Sequence, residues 1–594
     1  MHENELLEPE LLYKRELKEK HHQNVVDFFN ELVKKSGVNI EENSATCDKI
    51  YAKQRETNVY ESKLGKSRAV SVLSVFSIVF GALLALISVF CFMSDNVLAG
   101  VILVIIGVSM ITGGILLLAL VVSPQRKRYT AIIEKLKNEI DKLLSIAKTQ
   151  MAPLNLLFDE MMPSQLFHKT VPLIEMDRIF DTKKLEFMKN VYNYNFKNKD
   201  NISTLNIQSG SILGNPFVVF KELEMNMLPH TYEGTLVITY RVRHYGKNGS
   251  YYTTVTQTLR ARVTKPKPFY SHNTYLVYAN EAAPNLSFSR SASNINSMDE
   301  KHLAKYVAKH EDDLEKMAEK EMKNGGQYTP LGNPEFELFF GGLNRDNEVE
   351  YRLLFTPLAQ KSMLQLLKSS DGFGDDFSFR KSKMLNLIIS AHSQGDALFV
   401  DRSYFCDYDY RKIEEKFVNY NDFYFKALYF DFAPLMSIPL YQQHKAHEYI
   451  YKGTIPSNFT TFEHEAISNK FDVKNFADPL TDTETILKAD FLSRQGEEDK
   501  VDIIAHSFKA VKQIEYVPTL GGDGRMHPVP VVWYRYDPLE KVTPIIVGDT
   551  KGTLEDFRKL GNNDIIFSRG LVSYNQESNL NISIEALKSK MIKN

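Results

Sequence analysis

The feature that most constrains this chain is a pair of uncharged apolar runs. The first, AVSVLSVFSIVFGALLALISVFCFM, covers residues 69–93, and the second, VLAGVILVIIGVSMITGGILLLALVV, covers residues 97–122. A helix of about 25 residues is roughly 37 Å long, which is enough to cross a hydrocarbon core of about 30 Å with some tilt. Core helices of soluble proteins seldom stay free of charge over this length twice in succession. The pattern predicts a transmembrane helical hairpin spanning residues 69–122.

The charges around these runs predict how the hairpin is oriented. The turn between them, SDN, carries only Asp95, whereas basic residues flank both outer ends: Lys63, Lys66, Arg68, Arg126, Lys127 and Arg128. Positive charge is retained on the cytoplasmic side of membranes. We therefore expect a multi-pass protein of the cell (plasma) membrane with both termini cytoplasmic. The amino terminus, MHENELLEPELL, is acidic and does not have the pattern of a cleavable signal.

Small residues recur every seven positions inside both runs. These residues are Ser74, Gly81 and Ser88 in the first run and Gly100, Gly107 and Gly114 in the second. Each set lies close to one helix face, where small side chains let two backbones approach. We expect the two faces to meet. Neither run contains Asp, Glu, Lys, Arg or His, which argues against an ion-coupled transporter and favours an anchor.

Amphipathic helices are predicted on both sides of the hairpin. ELKEKHHQNVVDFFNELVKK places Val25, Phe29 and Leu32 at helical spacing within an amino-terminal helical segment, residues 1–68. YTAIIEKLKNEIDKLLSIAK forms a second apolar face in a juxtamembrane helix, residues 123–150. Two alternatives remain open: these helices pair with each other, or they self-associate as coiled coils.

The next part of the chain has a β pattern, and we assign residues 151–290 to a β-rich cytoplasmic domain. GTLVITYRVRHYGKNGSYYTTVTQTLRARV, residues 234–263, alternates as two strands around an Asn-Gly turn. The sequence KPKP at residues 265–268 is expected to break the ladder, since proline cannot donate a backbone hydrogen bond.

A charged linker helix is predicted within residues 291–330. Ser297 and Glu300 suggest a capping box, and Asn324, Gly325 and Gly326 suggest the end of the helix.

The remaining residues, 331–594, are predicted to form an α+β domain. Its expected elements are a hairpin at 336–355, helices at 358–370 and 409–430, and a hairpin at 511–538. The expected fold class is therefore a multidomain membrane protein, with a transmembrane hairpin and flanking amphipathic helices followed by a β-rich and an α+β domain.

The sequence AHSQG, residues 391–395, provides the one candidate nucleophile, Ser393. It resembles the G-x-S-x-G elbow of α/β-hydrolases, with Ala391 in place of the first glycine and the apolar strand LNLII before it. Two features argue against the resemblance. The residues that follow, DALFVDRSYF, are not the small residues of a closely packed helix, and antiparallel hairpins precede the motif where alternating strands and helices are required.

Metal and cofactor sites have little support. His444 and His447 in HKAHE are spaced for two zinc ligands on a helix, but the H-E-x-x-H pattern and an evident third ligand are lacking. The three cysteines, Cys47, Cys91 and Cys406, form no CxxC pair, and no Walker-type phosphate loop occurs. We expect no cofactor.

The overall charge bears on possible partners. The net charge of -2 indicates no general basic field for nucleic acid. The expected partners are the lipid bilayer and other proteins, or a second copy of the chain.

Together these features predict a membrane-anchored cytoplasmic scaffold or interaction protein without an evident catalytic site. Two alternatives remain: a membrane-tethered serine hydrolase that uses Ser393, and a subunit of a larger membrane complex.

Overall fold

A computed structural model describes most of the chain and divides it into two compact units. The described residues are 7–93, 97–177, 180–194, 198–246, 249–293, 295–326, 328–370, 372–395, 398–443, 459–496, 498–549, 565–568 and 571–575. We call the units the helical unit, built from residues 27–158 and 402–418, and the sheet unit, which contains residues 1–26, 159–401 and 419–594.

Long helices dominate the first third of the chain. After α1 (Pro9–Leu12) and a π-helical turn (Tyr13–Leu17), the helices are α2 (Lys18–Ser36), α3 (Ile40–Met93), α4 (Val97–Leu116) and α5 (Ser123–Leu157), with a π-helical segment (Leu117–Val122) joining α4 to α5. Two of these stretches are long and apolar enough to cross a membrane. Helix α3 continues without a break from Ile40 into the apolar run, so its polar half and its apolar half form one rod.

The polar halves of α3 and α5 pair with each other. Cys47 and Ile50 of α3 share a buried cluster with Ile140 and Ala147 of α5, and Lys137 of α5 forms an ion pair of 3.0 Å with Glu61 of α3. Thus α5 pairs within the chain, but its partner is α3. It does not pair with α2, the amphipathic helix predicted before the hairpin. The apolar face of α2 packs elsewhere: Phe29 lies 5.3 Å from Phe417, centroid to centroid.

The sheet unit contains a seven-stranded antiparallel sheet of order β1-β2-β3-β4-β7-β6-β5. Its strands are β1 (Ile174–Met176), β2 (Ile202–Ile212), β3 (Asn215–Gly246), β4 (Gly249–Ala279), β5 (Ser287–Arg290), β6 (Phe377–Ser382) and β7 (Leu385–Ser390). The predicted hairpin at residues 234–263 is confirmed as the outer part of β3 and β4.

The expectation that prolines end this ladder is wrong. Pairing of β3 with β4 runs without a register shift from Phe217↔Tyr278 to Gly246↔Gly249, and Pro229 lies directly opposite Pro266. Opposite residues in an antiparallel pair alternate between hydrogen-bonded and non-hydrogen-bonded sites, and a proline can occupy the second kind because its nitrogen faces the outer edge. Prolines at these sites leave the ladder intact and block the addition of another strand at the edge.

A second antiparallel sheet has the order β11-β12-β10-β9-β8. Its strands are β8 (Ile486–Gln495), β9 (Glu498–Leu520), β10 (Met526–Asp549), β11 (Ile565–Ser568) and β12 (Leu571–Asn575). The predicted hairpin at residues 511–538 is confirmed by the pairing of β9 with β10.

The outer parts of the two long hairpins pack face to face. Leu259 and Ala261 of β4 share a buried cluster with Val529 and Val531 of β10. Gly234 of β3 permits this approach, because a Cβ atom there would lie 2.1 Å from the carbonyl oxygen of Pro530.

Helices cover parts of the sheet unit. They are α6 (Met162–Thr170), α7 (Thr182–Asn190), α8 (Glu300–Lys323), α9 (Pro334–Phe340), α10 (Glu348–Leu354), α11 (Pro357–Leu367), α12 (Tyr410–Met436), which also contributes to the helical unit, and α13 (Thr461–Ser468). Helices α11 and α12 confirm the helices predicted at 358–370 and 409–430.

The hairpin predicted at residues 336–355 is wrong, because this stretch forms α9 and α10. Asn333 and Asn347 cap the two helices by accepting hydrogen bonds from the backbone N–H groups of Phe336 and Glu350. The aromatic residues that suggested strands are instead the buried faces of short helices, as in the stack of Phe336 on Phe340 at 5.1 Å.

The predicted cap of α8 also needs correction. Asp299 is the N-cap residue, and its carboxylate accepts from the backbone N–H of His302, so the box of Ser297 and Glu300 does not form. The helix ends at Lys323 as predicted, with Gly325 at a φ of +78°.

Candidate functional site

The AHSQG motif lies at the end of β7, where the structure contradicts the hydrolase elbow. Strand β7 ends at Ser390, Ala391–Ser393 form a single 3-10 turn, and Gln394 returns to extended backbone. The sheet around it is antiparallel, whereas the hydrolase elbow requires a strand that turns directly into a packed helix. The structure therefore does not form the strand-to-helix elbow that the hydrolase alternative requires at Ser393.

The hydrogen bonds of Ser393 and His392 also differ from those of a catalytic triad. The buried hydroxyl of Ser393 donates to Oδ2 of Asp431 at 2.6 Å. The Nδ1 atom of His392 lies 2.7 Å from Oδ2 of Asp376, and its Nε2 atom lies 3.0 Å from the carbonyl oxygen of Ala427. In a triad, one histidine nitrogen must accept the serine proton. Here both ring nitrogens face other acceptors, which fits an imidazolium that donates twice.

Electrostatics support this protonated form. Burial alone would lower the pKa of His392, but the nearby carboxylates of Asp431 and Asp376 outweigh it and raise that pKa above its usual range. Burial raises the pKa of Asp431, and His392 and Ser393 oppose that rise. His392 also stacks on Phe373 with a centroid distance of 3.8 Å and an interplanar angle of 5°.

Gln394 shows what the motif does in the fold. Its side-chain carbonyl accepts from the backbone N–H of Thr274 at 2.9 Å, and its amide donates to the carbonyl of Thr274 at 2.8 Å. The side chain thus extends the ladder of β4 past the end of β7. AHSQG joins β7 to α12 through His392 and Ser393, and to β4 through Gln394.

A cleft of about 710 Å³ begins beside this corner, on one face of the seven-stranded sheet. Strand alternation places Val277, Leu385 and Leu387 on this face as a partly apolar floor. Polar residues along the cleft include Glu222, Glu224, Asn273, Arg380, Lys199 and the two tyrosines Tyr194 and Tyr275. Helices α7 and α13 cover the neighbouring part of the same face through residues such as Met188 and Phe462. A partly covered sheet face with a few converging polar groups is typical of a ligand site.

Glu222 is the most perturbed carboxyl group of the cleft. Burial raises the pKa of Glu222 to about 7; the neighbouring charges of Glu465 and Glu224 add to this rise, and a hydrogen bond of 2.7 Å from the Tyr275 hydroxyl opposes it. Burial likewise raises the pKa of Tyr275 well above 10. A carboxyl group that titrates near neutral pH can donate as well as accept, which is useful in binding and in proton transfer.

Sequence reasoning missed this cleft. Glu222 and Tyr275 lie 53 residues apart, on the two strands of one long hairpin, and meet only through the register of β3 with β4. The available signal was the alternation of Phe220, Glu222 and Glu224 along a buried strand, where carboxyl groups are rare.

The small residues of the apolar helices come together in the helical unit. A Cβ atom on Gly107 would lie 2.7 Å from the carbonyl oxygen of Gly81, and one on Gly114 would lie 3.0 Å from that of Ser74. Ser88 and Gly100 are also buried.

The other predicted site residues lie outside this contact between small residues. Lys63, Lys66, Arg68, Arg126, Lys127 and Arg128 are exposed on α3 and α5. His444 and His447 lie outside the described residues.

Comparison of the chain with protein-family models, with curated proteins and with solved structures finds no match in any of the three. The class of protein is therefore defined by the structure alone. The chain has two long apolar helices followed by a sheet-rich region with antiparallel sheets.

Glu222 provides a test of the cleft's electrostatics. Its pKa is about 7 in the fold and about 4.5 when exposed, so between these values the folded state binds more protons than the unfolded state. The free energy of unfolding should therefore fall by about 3 kcal/mol as pH rises from 4.5 to above 7, and Glu222→Gln should remove most of this slope. Urea titrations followed through Trp533, the single tryptophan, measure it. Glu311→Gln on the exposed side of α8 controls for the lost charge, and an unchanged slope in Glu222→Gln would contradict the assignment.

Proposed function

We propose that this chain is a membrane-anchored interaction protein. In this proposal α3 and α4 cross the bilayer as a hairpin, both chain ends lie in the cytoplasm, and the sheet unit binds a partner or ligand there. The anchor itself performs no chemistry.

The distribution of side chains over α3 and α4 carries this proposal. Their large apolar side chains point outward: Leu73, Phe76, Leu98 and Leu116 are 68%, 66%, 79% and 56% exposed. The side chains buried between the helices are small, as at Gly81, Gly107 and Ser74. A water-soluble unit would bury these leucines and phenylalanines, each worth about 1.5–3 kcal/mol. Lipid stabilises the opposite arrangement, with small residues at the helix contact and large apolar groups outside.

The flanking charges support the orientation. Lys63, Lys66 and Arg68 precede the apolar part of α3, and Arg126–Arg128 follow that of α4, so both clusters lie at the same end of the antiparallel pair. The positive-inside tendency assigns this end to the cytoplasm.

The cleft supports binding as the role of the sheet unit. It lies on one face of the seven-stranded sheet and combines an apolar floor with a carboxyl group whose pKa is raised to about 7. Ser393, by contrast, is buried and donates to a carboxylate, so the binding role has more support than hydrolysis.

Cysteine labelling tests the topology. In a variant lacking Cys47, Cys91 and Cys406, a single cysteine is placed at Asp95, between the two spans, or at Ser145, an exposed position of α5. We expect an impermeant maleimide to label Asp95→Cys in intact cells and Ser145→Cys only after permeabilisation.

The matched pair makes the result decisive. Labelling of Ser145→Cys alone in intact cells would reverse the orientation. If neither position is labelled before permeabilisation and the protein is released by alkaline carbonate, the membrane anchor itself is refuted.

A further inference from the structure

The β3–β4 hairpin projects beyond the rest of the sheet unit. The turn of the β9–β10 hairpin ends against it, with Gly521 beside Ile238 and the N–H of Gly522 donating to the side chain of Gln257 at 2.7 Å. Beyond Ile238, β3 continues for eight residues, a length of about 27 Å. We call residues 239–246 and 249–256 the tip.

Positive charge is concentrated in this part of the chain. From Glu233 to Glu281 the sequence contains no other Asp or Glu, although the whole chain has a net charge of -2. The basic residues of this stretch are Arg241, Arg243, Lys247, Arg260, Arg262, Lys265 and Lys267. Arg262 and Lys265 are paired with Glu233 and Glu515. In the part of the chain that the structure describes, no carboxylate forms an ion pair with Arg241, Arg243 or Arg260.

Exposed tyrosines surround the arginines of the tip. Tyr245, Tyr251 and Tyr252 are 81%, 60% and 62% exposed. The guanidinium of Arg243 lies 5.0 Å from the ring centroid of Tyr245 and 5.9 Å from that of Tyr252, and it donates to the hydroxyl of Ser250 at 2.9 Å. These contacts hold one arginine outward between two aromatic rings.

Register places these groups on both faces of the tip. Arg241, Arg243 and Tyr245 follow the face that points away from β9–β10, with Tyr252 opposite Arg243. Tyr251 lies opposite His244 on the other face, past the end of the second hairpin. The groups are spread along a narrow ribbon and do not converge on one point, which suits an extended surface better than a small soluble molecule.

We propose that the tip of the β3–β4 hairpin docks on an anionic lipid surface. Arginine forms paired hydrogen bonds with phosphate oxygens, and tyrosine partitions to the interface between headgroups and acyl chains because its ring is apolar and its hydroxyl polar. Charge complementarity favours lipids such as phosphatidylserine over neutral ones. The docking site is separate from the α3–α4 anchor, but its test rests on the proposed function, because the anchor holds the chain in the donor vesicle.

Vesicle capture tests the proposal with the full chain. The protein is reconstituted in neutral phosphatidylcholine vesicles, and fluorescent acceptor vesicles of phosphatidylcholine alone or with about 30 mol % phosphatidylserine are added. We expect capture of the anionic acceptors only, weakening as salt rises because the contacts are exposed. Each arginine near an anionic surface contributes about fivefold in affinity, so Arg241→Ser with Arg243→Ser should weaken capture about 25-fold.

A matched variant and a second ligand class complete the test. Arg525→Ser with Arg535→Ser removes the same charge from the exposed surface of the second hairpin and should leave capture unchanged. Equal capture of neutral and anionic acceptors, or full capture by the tip variant, would overturn the proposal. Binding of polyglutamate without capture of anionic vesicles would also overturn it and would identify an acidic protein as the occupant.

Discussion

Replacing Gly107 by leucine is expected to force α3 and α4 apart. Even the first side-chain carbon would lie 2.7 Å from the carbonyl oxygen of Gly81 and 3.3 Å from the backbone nitrogen of Ala85. Backbone atoms cannot move aside as the end of a flexible side chain can, so the helices themselves must separate. Overpacking of this kind costs about 1–3 kcal/mol, and separation also removes the close backbone contact that stabilises helix pairs in lipid.

Disulfide cross-linking across the helix pair measures the effect. Ser77 donates to the carbonyl of Met110 at 3.3 Å, so Ser77→Cys with Met110→Cys in the cysteine-free chain should cross-link readily on oxidation. Adding Gly107→Leu should lower the rate about tenfold, which corresponds to about 1.4 kcal/mol of lost pairing.

Gly113 provides the matched control for this substitution. It lies on the same helix, and a Cβ atom there would meet nothing within 4 Å. Gly113→Leu should therefore leave the cross-linking rate unchanged. Equal rates in all three proteins would mean that the close contact between Gly81 and Gly107 does not hold the helices together.

The apolar helices and the long hairpins were predictable because their signals are local. An uncharged run, a seven-residue repeat of small residues and strict alternation around Asn-Gly each depend on neighbours within a few turns or strand pairs. Local signals failed where tertiary context decides the outcome. The aromatic stretch from Phe336 to Phe355 forms helices because the surrounding core buries the rings, although the caps at Asn333 and Asn347 were local signals that the strand prediction overlooked.

The cleft and the corner at AHSQG were beyond local reasoning for another reason. Glu222 meets Tyr275 only after β3 and β4 have paired, and Ser393 meets Asp431 only after α12 has packed on the sheet. A five-residue motif specifies the chemistry of its side chains but not their partners. His392, which the elbow pattern treats as a variable position, makes more polar contacts than the serine beside it.

His392→Ala is expected to destabilise the sheet unit strongly. The imidazolium lies between Asp376, at 2.7 Å, and Asp431, at 3.4 Å, and all three side chains are largely buried. Its removal leaves two neighbouring carboxyl groups without their cation, and breaking a buried ion pair in this way costs about 3–5 kcal/mol. Ser393→Ala removes one hydrogen bond to a charged group and should cost about 1.5–3 kcal/mol.

The pH dependence of this loss follows from the direction of the pKa shift. The pKa of His392 is raised in the fold, so its stabilisation is complete below about pH 6.5 and declines as pH rises through the folded-state pKa. The difference between the parent and His392→Ala should therefore shrink at alkaline pH. Urea titrations followed through Trp533 fluorescence measure both quantities.

An exposed histidine–aspartate pair shows how much of the stability loss depends on burial rather than on charge alone. His302 lies 2.8 Å from Asp299, with both side chains more than 60% exposed, and His302→Ala should cost less than about 1 kcal/mol.

A fluorophosphonate probe, which labels reactive serines, tests the hydrolase alternative. Because His392 and Ser393 connect β7 to α12 and do not form a catalytic pair, we expect that labelling of the folded protein does not depend on Ser393. Strong labelling that disappears in Ser393→Ala, combined with a small stability loss in His392→Ala, would mean that His392 is free to act as a base and that this corner is catalytic.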